Sequence, residues 1–188
     1  MEEKGERYLG AIRRNIAEVN NAILKRRALI GLHAADSAHG LDFFRIAAHA
    51  LYNDLISHAL KVFDHSGQSA SFWYVVRTDE AVAKRAAKAG DVSLDEIRRL
   101  SEPFKHIRDK THFHIDRDAV LDPSKIWARA GLTGDELGDV LDATWKVLAG
   151  IWRELRGESY DIPEYDGSDV VKIIRAYKAA YPDVPIVV

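Results

Sequence analysis

The amino-acid sequence predicts an all-α protein, an antiparallel helical bundle with extra short helices. Two observations carry this prediction. Glycine and proline are scarce, with 12 Gly and 5 Pro in 188 residues and no Pro among the first hundred, and both residue types destabilise helix interiors. Apolar residues also recur at intervals of three and four positions, which places them on one helix face. We therefore expect amphipathic helices that pack through their apolar faces.

In the first half of the chain, this pattern predicts two long helices. The first runs from Glu6 to about Leu32, and the second from Leu41 to Asp64, with the polar stretch Ala34 to Gly40 between them. The aromatic run Phe72 to Tyr74 is interpreted as a short buried turn or helix. A further helix, capped by Thr78 and Asp79, is expected to stop near Gly90.

A helix over about residues 94–116 follows, and it carries the most unusual passage of the sequence. Ser93 and Glu96 form a capping box that opens this helix. Pro103 should bend or interrupt it, because proline breaks the hydrogen-bond ladder. The residues expected to point inward are Leu94, Ile97, Leu100, Phe104 and Ile107.

The last third of the chain predicts a short helix, a long one and a C-terminal one. Asp122 and Pro123 start the short helix, which runs through Trp127. Thr133 and Glu136 form a second capping box, Ser168 caps the C-terminal helix through Tyr181, and an apolar tail follows. The inward stripe of the long helix comprises Leu137, Val140, Leu141, Thr144, Val147, Leu148, Ile151 and Leu155. We interpret residues 1–188 as one domain, with residues 168–181 and the tail as additions.

Composition excludes several kinds of chemistry. The chain has no cysteine, which excludes disulfides, thiolate metal sites, iron–sulfur clusters and cysteine nucleophiles. The formal net charge of −2 gives no global attraction to nucleic acid, so such binding depends on local clusters of Lys and Arg. No apolar run reaches the length of a membrane span, and the acidic start Met1 to Lys4 does not resemble a signal peptide. We expect a cytoplasmic protein.

Cations and imidazoles are concentrated between Lys105 and Arg117. At about 100° per residue, Arg108 and His112 lie one turn apart on a common helix face, whereas His114 lies about 120° round from Arg108. Such a group suits phosphodiester cleavage, because His exchanges protons near neutral pH and Arg offers a planar fork to phosphate oxygens. Asp109 or Asp116 is expected to orient an imidazole.

This passage resembles the catalytic motif of the HEPN superfamily, and within it the abortive-infection, AbiU2-like branch. Arg108, Asp109, Lys110, His114 and Asp116 match the branch's pattern of Arg, a polar residue, Lys, His and a following acid. Phe113 departs from the small residue usual before the His, and His112 is an extra imidazole that could substitute for His114. Upstream, residues 50–64 and 71–77 resemble the branch's second helix and the aromatic segment after it.

The resemblance implies a metal-independent endoribonuclease without a cofactor. In that family His activates the ribose 2′-hydroxyl, Arg stabilises the phosphorane, and a cyclic phosphate is produced; these roles fall here to His114 and Arg108, with Asp109, His112 and Asp116 in support. The implied partners are RNA, a second copy of the chain in a two-fold dimer, and a cognate antitoxin, as for a toxin or phage-defence effector. The alternative is a catalytically inactive RNA-binding or protein-interaction module.

Other candidates carry plainer interpretations. Metal binding by His112, His114 and Asp116, or by Asp54 and His58, matches no established ligand spacing. The runs Lys84, Arg85, Lys88 and Lys25, Arg26, Arg27 could bind phosphates, but solvated helix faces are the favoured interpretation. The aromatic run Phe72 to Tyr74 is assigned to core packing in preference to base stacking, and the tryptophans Trp127, Trp145 and Trp152 to the core or a dimer seam. The histidines interpreted as structural are His33, His39, His49, His65 and His106.

Overall fold

A computed structural model describes residues 2–34, 42–107, 128–162 and 164–180 of the chain. These residues form helices joined by turns and loops, and they contain no strand. The all-α prediction is confirmed. The named helices are α1 (Glu2–Ala34), α2 (Asp42–Val62), α3 (Phe72–Thr78), α4 (Glu80–Ala89), α5 (Leu94–Ser101), α6 (Pro103–Ile107), α7 (Gly134–Arg156) and α8 (Ser168–Ala180). The predicted short helix from Asp122 to Trp127 lies outside the described residues.

Side-chain contacts show that the long helices α2 and α7 both run antiparallel to α1. Near the end of α1, Lys25 pairs with Asp54 at the middle of α2, and Glu18 meets His58 farther along α2. Helix α7 starts beside Arg26, which binds the Gly134 carbonyl, and it later brings Trp152 to Arg13. Both helices therefore run opposite to α1, as the bundle prediction requires. Helix α4 packs on α7 in the same antiparallel sense, since Arg85 binds Glu154 while Gly90 approaches Lys146.

The predicted capping boxes are realised to different degrees. At α7, Thr133 accepts from the backbone of Glu136 while the Glu136 carboxylate binds the backbone of Thr133, so the box is complete. At α5, Ser93 accepts from the backbone N–H of Glu96, but the Glu96 carboxylate binds Arg99 instead. An exposed carboxylate can leave a backbone N–H donor and bind a nearby guanidinium with little change in free energy, because the ion pair that forms on the helix surface is also favourable.

The helix expected over residues 94–116 is interrupted at Pro103, as the sequence predicts. Helix α5 ends at Ser101 and α6 begins at Pro103, with Glu102 between them. Ile97, Leu100, Phe104 and Ile107 are buried on both sides of the break. The interruption therefore leaves the inward face intact.

Two expectations about the last third of the chain are wrong in detail. Leu155, expected on the inward stripe of α7, is 38 % exposed and lies in the last turn of the helix, which ends at Arg156. Ser168 does not precede α8 as its cap but is its first residue. Its backbone N–H is bound by the Asp166 carboxylate.

A buried polar cluster ties α1 to α2. Glu18 and His58 are both buried and joined by a hydrogen bond of 2.5 Å, and Lys61 and Arg14 approach the same carboxylate. Burial acts to raise the pKa of Glu18, but the hydrogen bond to His58 and the neighbouring cationic groups outweigh it, so the pKa lies below its ordinary value. The cluster thus holds an ionised carboxylate inside the helix pair.

No described helix is long and apolar enough to cross a bilayer.

Candidate functional site

The chain enters the predicted catalytic passage from a firmly packed point. Phe104 and Ile107, on the short helix α6, are buried, and the Phe104 ring stacks on Phe63 at the end of α2 with centroids 5.3 Å apart. Because both apolar side chains of α6 are enclosed, the backbone direction at residue 107 is set by the core.

The predicted site residues themselves lie outside the described residues. This holds for Arg108, Asp109, Lys110, His112, Phe113, His114 and Asp116. That Arg108 and His114 act together in one site therefore stays a prediction. What the structure gives is the surface from which this passage departs.

A small pocket of about 240 Å³ lies beside α6. Leu60, Phe63 and Phe104 line its apolar part, while Asp64, His65, Ser66 and Lys105 supply polar groups. The turn after α2 shapes the polar part, since the Asp64 carboxylate accepts the backbone N–H of Ser66. The pocket thus combines an apolar wall with the imidazole of His65 and the ammonium group of Lys105. Lys105 stands three positions before Arg108 in the chain.

An aromatic stack orients the polar groups at this end of the bundle. The exposed His65 ring lies nearly parallel to the buried Trp73 ring at 5.3 Å, and the Arg98 guanidinium of α5 lies over the same indole at 5.2 Å. Burial lowers the pKa of His65, and the charges of Arg77 and Arg98 lower it further. His65 is accordingly a neutral imidazole at pH 7, able to accept a proton or a hydrogen bond.

A wider groove of about 680 Å³ runs along α3, α4 and α5. We call it the basic groove. Its charged lining consists of four cations, Arg77, Lys84, Lys88 and Arg98, and two carboxylates, Glu80 and Asp95. The four cations come from three different helices, so only the tertiary fold assembles them.

On the other side of α5 the charge is reversed. A groove of about 420 Å³ between α5 and α7, which we call the acidic groove, is lined by Asp91, Glu96, Asp139 and Asp142 and by one cation, Lys146. The two grooves share α5 as a wall and differ in the sign of their charge. This asymmetry creates a field that attracts anions to one side of α5 only.

The basic run of α1 has a structural role. Lys25 pairs with Asp54 at 3.1 Å, Arg26 binds the Gly134 carbonyl at 3.2 Å, and Arg27 donates to the Tyr165 carbonyl at 3.1 Å. Successive residues of one helix point about 100° apart, so three adjacent cations reach three different elements. The interpretation of this run as a solvated face is wrong, because each side chain fastens α1 to another part of the fold.

The second run is divided between two environments. Arg85 binds Glu154 of α7, whereas Lys84 and Lys88 face the basic groove. The assignment of the aromatic run to the core is confirmed for Phe72 and Trp73, which are buried.

The remaining histidines and tryptophans divide by environment. His33 and His49 are exposed, and the ring nitrogen Nε2 of His106 is buried without a hydrogen-bond partner. Trp152 is buried and Trp145 half-buried, while Trp127 and His39 lie outside the described residues.

No metal-binding group of three or more His, Asp or Glu side chains occurs in the part of the chain that the structure describes. Asp54 and His58, the candidate pair on α2, instead contact each other at 3.6 Å.

Sequence reasoning missed the contribution of His65, Arg77 and Arg98. His65 was assigned a structural role, and the two arginines had none. Their proximity depends on the loop between α2 and α3, which places the His65 ring on Trp73, and on α5, which places the Arg98 guanidinium over the same indole. No spacing along the chain carries that signal, since the three residues belong to three separate segments.

Comparisons with known proteins give one match. The family model described as AbiU2, of the HEPN type, matches residues 32–174. This range includes both grooves and the whole passage from Lys105 to Arg117. No curated protein and no solved structure matches the chain.

Proposed function

The chain belongs to the AbiU2 family of HEPN domains, an abortive-infection-related group, and from that membership we propose that it is a metal-independent endoribonuclease. The observation that carries the proposal is that the matched range includes Arg108, Asp109 and His114, the residues that resemble the HEPN catalytic motif. Arg108 and His114 supply the two groups that cleavage of RNA by attack of its own 2′-hydroxyl requires.

In the proposed reaction, His114 takes the proton of a ribose 2′-hydroxyl, and the resulting oxygen attacks the adjacent phosphorus. Arg108 binds the non-bridging oxygens, whose negative charge grows in the pentacoordinate transition state. The bond to the 5′-oxygen breaks, that oxygen takes up a proton from solvent water, and His114 releases to solvent the proton that it took. The products are a 2′,3′-cyclic phosphate and a 5′-hydroxyl. Asp109, His112 and Asp116 serve as orienting groups.

The surroundings of α6 support this proposal. The packed Phe104 and Ile107 fix the start of the catalytic passage, as a site that must hold its geometry needs. Lys105 and His65 line a pocket next to it, and Arg98 of the basic groove lies over the same Trp73 ring as His65. An RNA strand that reaches the passage therefore meets the cationic side chains of Lys105 and Arg98 and the imidazole of His65.

The test is cleavage of labelled single-stranded RNA in the presence of a chelator. The wild type should cleave, and Arg108→Ala and His114→Ala should each lose about 100-fold or more in rate, since each removes a group acting in the transition state. The cleaved fragments should carry a 3′ end lighter by one water than a linear monophosphate. His112→Ala should retain most of the activity if His114 is the catalytic imidazole.

Matched variants separate catalysis from general damage. Arg175→Ala and His49→Ala remove an exposed Arg and an exposed His from α8 and α2 and should leave the rate unchanged. Wild-type protein that binds RNA without cleaving it would favour the inactive RNA-binding module. Cleavage that appears only on adding a divalent ion would favour the metal interpretation.

We further propose that the active form is a homodimer. On helix α2, Phe43 is 73 % exposed to solvent and Ile46 is 64 % exposed. The two residues are three positions apart and therefore lie on the same face of the helix. Exposed apolar side chains in such an arrangement are typical of a contact surface. Light scattering after size exclusion should give a dimer for the wild type, and Phe43→Ser with Ile46→Ser should shift it to monomer. A wild-type monomer at assay concentration would refute this part.

The biological role follows from the same family membership. We propose a toxin or phage-defence effector that acts on RNA in the cytoplasm and is held inactive by a cognate antitoxin protein. Induced expression should arrest growth of a bacterial host, and His114→Ala should abolish the arrest at equal protein level. Arrest that persists in this variant would argue against RNA cleavage as its cause.

A further inference from the structure

We propose that the basic groove along α3, α4 and α5 is a binding site for the phosphate backbone of single-stranded RNA. This inference rests on the proposed function for its choice of polyanion, but it concerns a surface outside the predicted catalytic passage. It is assembled entirely from described residues.

The groove carries surplus positive charge. Four cations face two carboxylates in its lining. Lys84 pairs with Glu80 and Arg98 approaches Asp95, whereas Arg77 and Lys88 form no ion pair with any described carboxylate. Two cations are thus available to an incoming anion without breaking a contact. The excess of cations over carboxylates in the lining also favours the approach of an anion.

The existing pairs in the groove are weak enough to yield. Lys84 and Glu80 are more than half exposed and one turn apart, and such pairs contribute only about 0.3–0.5 kcal/mol. The contact of Arg98 with Asp95 is longer, at 3.8 Å. A phosphate group can replace either carboxylate as the partner of the cation.

One cation is held in place before any ligand arrives. The Arg98 guanidinium lies over the buried Trp73 indole, a cation–π contact that restricts its position. Trp73 also supports the His65 ring, which lines the pocket beside α6. Trp73 therefore connects the basic groove with the pocket next to the catalytic passage.

The acidic groove explains why only one side of α5 is suited to RNA. Four carboxylates and one lysine line it, so a polyanion is repelled there. Two grooves of opposite charge on one short helix favour a single path for the strand, along the side that carries Arg77 and Lys88.

The test is RNA affinity as a function of salt, measured by fluorescence anisotropy in the His114→Ala background so that the probe stays intact. The probe is a labelled single-stranded RNA oligonucleotide. Replacing both Arg77 and Lys88 by Gln should weaken binding about tenfold near 0.1 M salt and reduce the log–log salt slope by about 1.4, because each lost phosphate contact on a single strand accounts for about 0.7. Both side chains are exposed, so the fold should be unchanged by circular dichroism.

The matched control is Lys146→Gln, which removes the same charge from the acidic groove. It should leave the affinity and the salt slope unchanged. Equal weakening by Lys146→Gln and Lys88→Gln would overturn the proposal, since net charge alone would then account for the effect. Unchanged RNA affinity in the double variant would also overturn it. If the same variant then binds poly-glutamate more weakly than the wild type does, the ligand of the groove is an acidic protein.

The outcome is distinguishable from that of the nuclease proposal. If the wild type never cleaves RNA but the double variant binds it more weakly, the groove is confirmed and the nuclease activity is not. If the wild type cleaves RNA and the double variant binds and cleaves as the wild type does, the nuclease stands and the groove proposal fails.

Discussion

The close approach of α1 to the loop before α8 predicts opposite effects for one substitution at two positions of the same helix. Gly31 and Gly10 both lie in α1. A Cβ added at Gly31 would stand 2.5 Å from the Gly167 carbonyl oxygen and 3.1 Å from its carbon, whereas a Cβ at Gly10 would meet nothing within 4 Å. The obstacle at Gly31 is backbone, and Gly167 itself has a positive φ of 80°.

The magnitudes follow from these distances. Gly→Ala in a helix interior stabilises by up to about 1 kcal/mol when space is available, so Gly10→Ala should gain about that amount. At Gly31 the loop would have to move by about 0.9 Å to restore an ordinary 3.4 Å contact. Such overpacking costs about 1–3 kcal/mol, which leaves a net loss of up to about 2 kcal/mol after the helix gain. The two variants should therefore differ by about 1–3 kcal/mol.

Urea unfolding at equilibrium measures the difference directly, and thermal unfolding should separate the two melting temperatures by about 2–12 °C. Gly10→Ala serves as the control, because it has the same chemistry on the same helix. If Gly31→Ala is as stable as Gly10→Ala, the loop at Gly167 does not rest on α1, and the close approach of the two backbones is wrong.

Three further predictions concern single interactions. Glu18→Gln should cost about 1.5–3 kcal/mol at pH 7 by weakening the charged hydrogen bond to His58. Because folding lowers the pKa of Glu18, the ionised carboxylate contributes to the free energy of unfolding at pH values above its ordinary pKa of 4.5, and this contribution is lost as the pH falls through the lower pKa of the folded state. The variant should therefore lose less stability on acidification than the wild type. Equal acid sensitivity of the two proteins would contradict this. Thr133→Ala removes the cap of α7 and should cost about 1 kcal/mol in urea unfolding, and no loss would mean that the capping box is not formed in solution. Arg85→Gln breaks an exposed pair with Glu154 and should change stability by less than about 1 kcal/mol; a larger loss would indicate that this pair fastens α4 to α7.

Local chemistry made much of the fold predictable. The interruption before Pro103 and the complete box at Thr133 follow from groups a few residues apart, which interact in the same way whatever the rest of the chain does. The half-formed box at Ser93 shows the limit of such reasoning. There Arg99, also on α5, competes for the Glu96 carboxylate, and the box pattern alone does not decide between two local partners.

The candidate site was predictable to a different degree. The sequence identified the family through Arg108, Asp109 and His114, and the AbiU2 match over residues 32–174 confirms the family. It did not identify the basic groove. Arg77, Lys88 and Arg98 stand in separate helices, and each looks like an ordinary solvated cation when considered within its own segment.

The sequence by itself determined the helices, most of their ends, the inward faces and the family, because each depends on the order and spacing of neighbouring residues. Only the tertiary structure decided that Lys25, Arg26 and Arg27 fasten α1 to three other elements, and that Arg98 lies on Trp73. It also placed opposite charge on the two sides of α5. The physical reason is that electrostatic and packing partners are chosen by distance in space, and the turns that bring distant segments together are fixed by the packing of the whole bundle.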